Sequence, residues 1–159
     1  MTDIASLPYR PCAGVMLLNR HGQVFVGQRL DSVVEAWQMP QGGIDPGEEP
    51  IDAAWRELWE ETGVERKHAE LVAQAPDELF YDLPEDLVRR LWKGKWRGQR
   101  QRWFLFRFLG EDQDVNIETA EPEFRAWRWA EPKDLPDLIV PFKRALYKEL
   151  LTVFEQHLA

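Results

Sequence analysis

Three glutamates are spaced in the sequence in a way that could support chemistry. Glu57, Glu60 and Glu61 follow the pattern i, i+3, i+4, so a helix would place all three on one face with Cβ atoms about 5 to 6 Å apart. Only Glu60 has a basic partner along the helix, which is Arg56, four residues earlier. Two carboxylates this close repel each other by about 3 kcal/mol at an effective dielectric constant of about 20, and by roughly a few tenths of a kcal/mol at a wet surface. The face is therefore either a solvated acidic surface or a site for a cation.

A divalent cation would explain this face, because exposed helices usually alternate the sign of their charges. Ligands that are all oxygen, with no Cys or His nearby, favour hard ions: Mg²⁺ first, with Mn²⁺ or Ca²⁺ as alternatives. A Gly-rich stretch precedes the glutamates, and this combination suggests a site for polyphosphate. The cation would bridge phosphate oxygens and lower the pKa of an attacking water. A solvated face remains the alternative.

Local patterns predict the elements that must hold these glutamates. Pro50 and Gly63 bracket a helix over residues 51–62, and the stretch 37–49 before it, rich in Gly and Pro, is predicted to be loop. Apolar runs predict a hairpin and further strands, and a four-residue apolar spacing predicts a C-terminal amphipathic helix. The hairpin strands are residues 14–18 and 23–28, the further strands are 69–73, 79–83, 102–109 and 124–129, and the helix begins at Phe142. This order predicts the α/β (α+β) class, with a mixed sheet sandwiched between helices.

Length and composition limit the classes of protein to consider. A chain of 159 residues has the size of one domain, so we expect a single domain over residues 1–159. The single cysteine, Cys12, excludes an internal disulfide framework. No apolar run reaches the ~18 residues needed to span a bilayer, so we expect no membrane partner and a cytoplasmic location. The net charge of -8 argues against binding duplex DNA through bulk electrostatics.

One segment of the chain opposes this overall acidity. Residues 89–107, here called the basic segment, contain lysines and arginines but no Asp or Glu, together with Trp92, Trp96 and Trp103. Cations interleaved with aromatic rings are typical of surfaces that bind phosphates and bases. The alternative is a solvated loop whose Trp side chains turn into the core.

Residues 42–64 resemble the Nudix box, whose pattern is Gx5Ex7REUxEExGU with U a bulky aliphatic residue. Every specified position matches, namely Gly42, Glu48, Arg56, Glu57, Leu58, Glu60, Glu61, Gly63 and Val64. The resemblance implies the Nudix fold, a loop-helix-loop motif on a mixed sheet between helices, and Mg²⁺-dependent hydrolysis of nucleoside diphosphates linked to another moiety. It implies more than one bound ion, with Mn²⁺ as a possible substitute, and metal ligands on Glu57, Glu60, Glu61 and the backbone carbonyl of Gly42. It also implies a structural ion pair between Glu48 and Arg56 and a structural role for Gly63.

Segments outside the box resemble one branch of the family, which contains bacterial RNA pyrophosphohydrolases and the diadenosine tetraphosphate hydrolases of plants and alpha-type bacteria. These segments are residues 9–11, 36–44, 98–104, 122–124 and 127–129. Glu123 matches a distal glutamate that joins the metal site in this branch, and a rim carboxylate is the alternative. The catalytic set implied by the resemblance is Glu57, Glu60, Glu61, Glu123 and Arg56. Four further residues match positions that face the phosphates or a base, which are Arg10, Arg29, Tyr81 and Lys143.

The substrate is predicted from the basic segment. Residues 91–96, followed by Gly98 and Gln99, resemble the dinucleotide hydrolases more than the enteric RNA enzymes. We therefore expect hydrolysis of diadenosine tetraphosphate to ATP and AMP, by a monomer, with removal of pyrophosphate from triphosphorylated RNA as the alternative. Tyr81 and the three tryptophans are the candidates for stacking on a base. A module that binds a nucleotide without hydrolysing it is a third interpretation, which the complete box disfavours.

Overall fold

The computed structural model describes residues 3–32 and 34–158. Its strands are β1 (Tyr9–Leu18), β2 (Val24–Arg29), β3 (Trp37–Gln38), β4 (Gln41–Gly43), β5 (Ala69–Gln74), β6 (Leu79–Asp82), β7 (Gly98–Phe108) and β8 (Phe124–Ala130). Its α-helices are α1 (Pro50–Thr62), α2 (Glu85–Arg90), α3 (Leu135–Leu138), α4 (Arg144–Val153) and α5 (Glu155–Leu158). No helix of these described residues is long and apolar enough to cross a membrane.

The strands form one mixed sheet around β1 and β7. These two long strands run parallel, with Gly14 opposite Trp103 and Leu17 opposite Phe106. The main path is β3-β2-β1-β7-β5; in addition, β4 pairs with β1, β6 with β7 and β8 with β2. All of these other pairings are antiparallel. The parallel pair gives the sheet a rigid centre to which the shorter strands attach.

Helices cover both faces of the sheet. Side chains alternate along β1 and β7, so each face of these strands presents apolar residues against which a helix packs. On one face Val15, Leu17 and Phe106 pack in a buried cluster with Ala54 and Leu58 of α1. On the other face the buried cluster contains residues of both long strands and of α4, including Met16, Trp103, Leu105, Leu146 and Leu150. The predicted mixed sheet between helices is confirmed. Helix α1 is held by its apolar side, which leaves its acidic side to face a cleft.

Most predicted elements are present, with corrections to their extent. The stretch 37–49 is not wholly loop, because β3 and β4 form there by pairing with β2 and β1. Strand β1 begins at Tyr9 rather than at residue 14, and β7 begins at Gly98 rather than at residue 102. The C-terminal helix begins at Arg144 rather than at Phe142. Helices α2 and α3 were not predicted; they have six and four residues, which is too short for an apolar period to show.

Candidate active site

The ends of helix α1 and its packing fix the direction of its glutamates. Pro50 occupies the first turn, and Gly63 ends the helix in the left-handed conformation, with φ of 72° and a backbone hydrogen bond to Trp59 of 2.9 Å. Because Ala54 and Leu58 are fully buried against the sheet, the neighbouring face turns inward as well. Glu57 and Glu61 are therefore only 8% and 4% exposed. Glu60 lies on the solvent side of the same helix.

Arg56 joins the glycine-rich loop to the helix. Its guanidinium donates from Nε and Nη2 to the two Glu48 oxygens, both at 2.9 Å, and from Nη2 to the Gly43 carbonyl at 2.7 Å. Its Nη1 also donates to Glu57 at 2.8 Å and to Glu60 at 3.1 Å. The expectation that Glu57 lacks a basic partner is wrong, because the long Arg56 side chain reaches the residue next to it in the sequence. Helical spacing considers only residues three or four positions apart. Arg56 lowers the pKa of the Glu48 carboxyl, so this pair stays charged.

Glu61 is a buried carboxylate with incomplete hydrogen bonding. One hydrogen bond comes from the Gln41 backbone, while Oε2 has no partner among the described residues. Burial raises the pKa of Glu61 well above its ordinary value, and the charges of Glu57 and Glu123 raise it further. Burial also raises the pKa of Glu57, against the opposing effect of Arg56. An acidic group without compensation inside a protein is unfavourable unless something positive binds it.

The donor set fits a hard divalent cation. All its donors are oxygens, and a side chain at position 42 would overlap the Glu57 carboxylate, so Gly42 lets loop backbone and carboxylate approach closely. Within residues 3–32 and 34–158 no three His, Cys, Asp or Glu side chains are grouped closely enough for one ion. The Arg56 Nη1 donates to both Glu57 and Glu60. The orphaned Glu61 Oε2 remains available to an ion.

A cleft of about 830 Å³ brings the predicted site residues together. Helix α1 contributes Glu57, Glu60 and Glu61, β4 contributes Gly42, and Glu123 comes from the residue directly before β8. The cations come from other elements: Arg10 from β1, Arg29 from the end of β2 and Lys143 from the turn before α4. A volume of this size is typical of small-molecule sites. The cleft thus combines carboxylates that can bind a metal with cations that can bind phosphates.

The cations differ in how they are held. Arg29 forms a bidentate pair with Asp31, with distances of 2.8 and 2.7 Å. Lys143 is half-buried, its Nζ lies 4.9 Å from the centre of the Tyr81 ring, and burial followed by the charge of Arg29 lowers the pKa of Lys143 to about 8. Arg10 lies 5.4 Å from the centre of the Trp92 ring. Arg10 and Lys143 form no ion pair among the described residues and can act on an anion that enters the cleft, whereas Arg29 would act on it beside Asp31.

The profile of the NUDIX domain matches residues 8–150. The chain belongs to the Nudix family. An RNA pyrophosphohydrolase from Roseobacter denitrificans is 62% identical over 98% of this chain and 98% of its own length. One from Cereibacter sphaeroides is 57% identical, with coverage of 99% and 97%.

Solved Nudix structures support the fold. The C. elegans Ap4A hydrolase superposes with a TM-score of 0.66 at 23% identity, covering 95% of this chain and 99% of that one. The E. coli dihydroneopterin triphosphate pyrophosphohydrolase gives 0.71 at 20% identity, with coverage of 91% and 98%. The predictions of a Nudix fold and of a Nudix pyrophosphohydrolase are confirmed, and a module without enzymatic activity is excluded.

Two of the proposed stacking rings are largely buried in this Nudix enzyme. Tyr81 is only 7% exposed and packs against Phe142, but it lines the cleft, with the Lys143 amine beside its ring, so its contact with substrate stays a prediction. Trp103 is 1% exposed, fills the space above Gly14 and donates its Nε1 hydrogen to Gln101 at 2.7 Å. Trp92 lines the cleft, while Trp96 lines a neighbouring groove.

The basic segment is only partly neutralised, and its role as a phosphate-binding patch stays a prediction. Five of its six arginines pair with acidic residues, in the pairs Arg89–Glu85, Arg90–Asp86, Arg97–Asp82, Arg100–Glu78 and Arg107–Glu70. The first two pairs lie within α2 at a spacing of four residues, and the other three form because β5 and β6 run antiparallel to β7. From this segment, Arg90, Leu91, Trp92 and Gln99 line the cleft.

A glutamine network in the wall of the cleft, to which Gln41 and Gln99 contribute, was not predicted from the sequence. Gln101 donates to Gln99 at 2.7 Å and to Gln41 at 3.3 Å, and both Gln99 and Gln101 are buried. This network connects β7 to Gln41, whose backbone binds Glu61. Polar residues at alternate positions of an apolar strand share one face, and that signal could have identified them.

Proposed function

We propose that this Nudix enzyme removes pyrophosphate from the triphosphorylated 5′ end of RNA. The observation that carries the proposal is the identity of 57 to 62% with relatives named RNA pyrophosphohydrolase, over almost the whole chain. The cleft supports it, because it places carboxylates and cations where a triphosphate could lie between them. This reverses the expected order of substrates, since the preference for diadenosine tetraphosphate came from one short segment, residues 91–99.

We propose that Glu57, Glu60, Glu61, Glu123 and the Gly42 carbonyl hold Mg²⁺, with Mn²⁺ as a substitute and more than one ion bound. The uncompensated Glu61 oxygen and the close approach of Glu57 to Gly42 support this assignment. When bound, the ion would supply positive charge to the phosphates and lower the pKa of the attacking water.

The side chains of the chain itself would do the remaining work. Arg10, Arg29 and Lys143 would hold the triphosphate and offset its charge. Glu57 or Glu123 would take a proton from the attacking water. The water oxygen attacks one phosphorus in line, and the bond from that phosphorus to the leaving phosphate oxygen breaks. Arg56 would fix the loop against α1 through Glu48 and so keep these groups in position.

A side-by-side assay tests the proposal. We expect a 5′-triphosphate RNA, with Mg²⁺, to give pyrophosphate or two successive phosphates and a 5′-monophosphate RNA, with kcat/KM above that for diadenosine tetraphosphate. EDTA should abolish the activity, and titration with Mn²⁺ should detect binding to the wild type that is weakened in Glu61→Gln.

Diadenosine tetraphosphate remains the second candidate because residues 91–99 resemble the dinucleotide hydrolases. A higher kcat/KM for the dinucleotide would replace the RNA proposal with this one. A preference for mononucleotides over both substrates would contradict the assignment to this branch.

A further inference from the structure

A second groove adjoins the active-site cleft. It encloses about 480 Å³, within the range typical of ligand sites, and shares Arg10, Gly43 and Glu57 with the cleft. Its remaining lining includes Lys95 and Trp96, which do not line the cleft. A ligand in the cleft could therefore extend past Arg10 into this groove.

The backbone next to Trp96 is anchored by the residue that follows it. The Arg97 backbone N–H donates to the Pro8 carbonyl at 3.0 Å, and its carbonyl accepts from Leu83 at 2.9 Å. The Arg97 guanidinium donates to Asp82 at 3.0 Å and lies 4.8 Å from the centre of the Tyr9 ring. These contacts place the half-buried Trp96 at the groove.

The turn before Trp96 has an unfavourable backbone conformation. Trp92, Lys93 and Gly94 have φ values of 48°, 59° and 69°, and the first two carry side chains that disfavour this region. Such strain persists where the surrounding structure enforces it, and it is concentrated at binding sites. The result of this turn is that Trp92 lines the cleft and Trp96 lines the groove, with Arg10 lining both.

The charges in the groove suit a phosphate. The two carboxylates that line the groove, Asp45 and Glu57, both pair with Arg56, at 3.8 and 2.8 Å. Neither Arg10 nor Lys95 belongs to an ion pair within the part of the chain that the structure describes. The Lys95 Nζ lies 5.0 Å from the centre of the Trp96 ring. A cation beside an aromatic ring in an open groove is the arrangement that single-stranded nucleic acids use, with the base on the ring and the phosphate near the cation.

We propose that the groove binds a nucleotide of the RNA chain downstream of its 5′ phosphates, with the base stacked on Trp96 and the phosphate near Lys95. This inference rests on the proposed function, since the cleft must hold the 5′ end of the same RNA. The groove would favour substrates with more than one nucleotide, because a lone nucleoside triphosphate leaves it empty.

The test compares a 5′-triphosphate RNA of four nucleotides with ATP. We expect Trp96→Ala to lower the ratio of kcat/KM for the RNA to kcat/KM for ATP by about tenfold, the usual worth of one stacked base. Trp96→Phe should keep most of that ratio, because a smaller ring still stacks. Lys95→Ala should reduce the dependence of log KM on log salt by about 0.7, the value for one phosphate contact on a single strand. Lys133→Ala, at an exposed site that lines neither the cleft nor the groove, is the control.

Diadenosine tetraphosphate forms a further arm of the same experiment, because its second nucleoside has the same chemistry. A loss on RNA, with or without a loss on the dinucleotide, supports the proposal; a loss on the dinucleotide alone overturns it. An unchanged ratio in Trp96→Ala and Trp96→Phe also overturns it, as does an equal loss on RNA and ATP.

A binding measurement separates this inference from the proposed function. The Kd of a 5′-monophosphate RNA of four nucleotides should rise about tenfold in Trp96→Ala relative to the wild type, while the Kd of AMP should change by much less. If the wild type fails to hydrolyse triphosphorylated RNA, the proposed function is wrong, and this binding difference still decides whether the groove holds RNA.

Discussion

Helix α1 and the basic segment each concentrate charge of one sign, but they treat that charge differently. In α1, Glu61 is buried with an oxygen that no described residue binds, and Glu57 is buried close by. In the basic segment, the paired arginines are mostly exposed and lie 2.9 to 3.3 Å from carboxylates of the same or adjacent elements. The Glu61 charge faces the cleft without a positive partner, while Arg56 pairs with Glu57 and Glu60. In the basic segment, five arginines are satisfied by carboxylates of the protein itself.

The difference between helix α1 and the basic segment shows which charges remain available to bind a ligand. Exposed pairs such as Arg107–Glu70 contribute about 0 to 1 kcal/mol each and leave little field for a substrate. A buried carboxylate without a partner lowers stability, and a bound cation removes that cost. Net charge along the chain is therefore a poor guide to a phosphate site, and burial without a partner is a better one.

The largest expected effect is that of Glu61→Gln. The amide keeps the shape of the side chain but removes its charge, so kcat should fall about 1,000-fold or more, while the melting temperature should stay the same or rise because no charge is buried. Steady-state kinetics and thermal melting in the absence of metal measure both quantities.

Glu65→Gln is the matched control, because Glu65 follows the same helix but is exposed and lies outside the cleft. Its kcat should change by less than about twofold. Near-full activity in Glu61→Gln would mean that the unpartnered charge in helix α1 does not serve the reaction. The distinction between helix α1 and the basic segment would then be lost.

The sequence allowed α1 to be predicted because its signals are local. Pro50, Gly63 and the glutamate spacing all lie within the helix or beside it. Strands β3 and β4 depend on pairing with β2 and β1, and two or three residues carry too little pattern to reveal such pairing. The arginine partners were missed for the same reason, since Glu78 reaches Arg100 only after β6 lies against β7.

The residues on the cationic side of the cleft lie even further apart in the sequence than these pairing partners. Arg10, Arg29 and Lys143 come from separate elements, and only the family resemblance grouped them. The burial of Tyr81 and Trp103 depends on which face of each strand meets α4 and the turn before it, and the sequence alone leaves that choice open.

A second, smaller effect concerns Lys143, whose pKa of about 8 lies below the ordinary value of 10.5. Phosphate binding needs the protonated amine, so kcat/KM should fall as pH rises through about 8, approaching tenfold per pH unit above it. Lys143→Arg should move this decline to higher pH, because a guanidinium stays protonated. Lys143→Met should raise KM by about 10- to 100-fold at pH 7. An alkaline decline that is identical in the wild type and in Lys143→Arg would show that another group titrates.

The smallest effects are expected for the paired arginines of the basic segment. Their variants test directly the comparison between this segment and helix α1. Arg107→Ala should change kcat/KM for triphosphorylated RNA by less than about twofold, because Glu70 already satisfies this exposed guanidinium away from the cleft. Arg10→Ala should lower kcat/KM by about tenfold and weaken its salt dependence, since Arg10 lines the cleft and forms no ion pair within residues 3–32 and 34–158. Measuring both variants across a range of salt concentrations separates local contact from bulk attraction. Equal losses in the two variants would mean that the basic segment attracts the substrate over a long range despite its ion pairs. Burial would then be the one remaining difference between helix α1 and the basic segment.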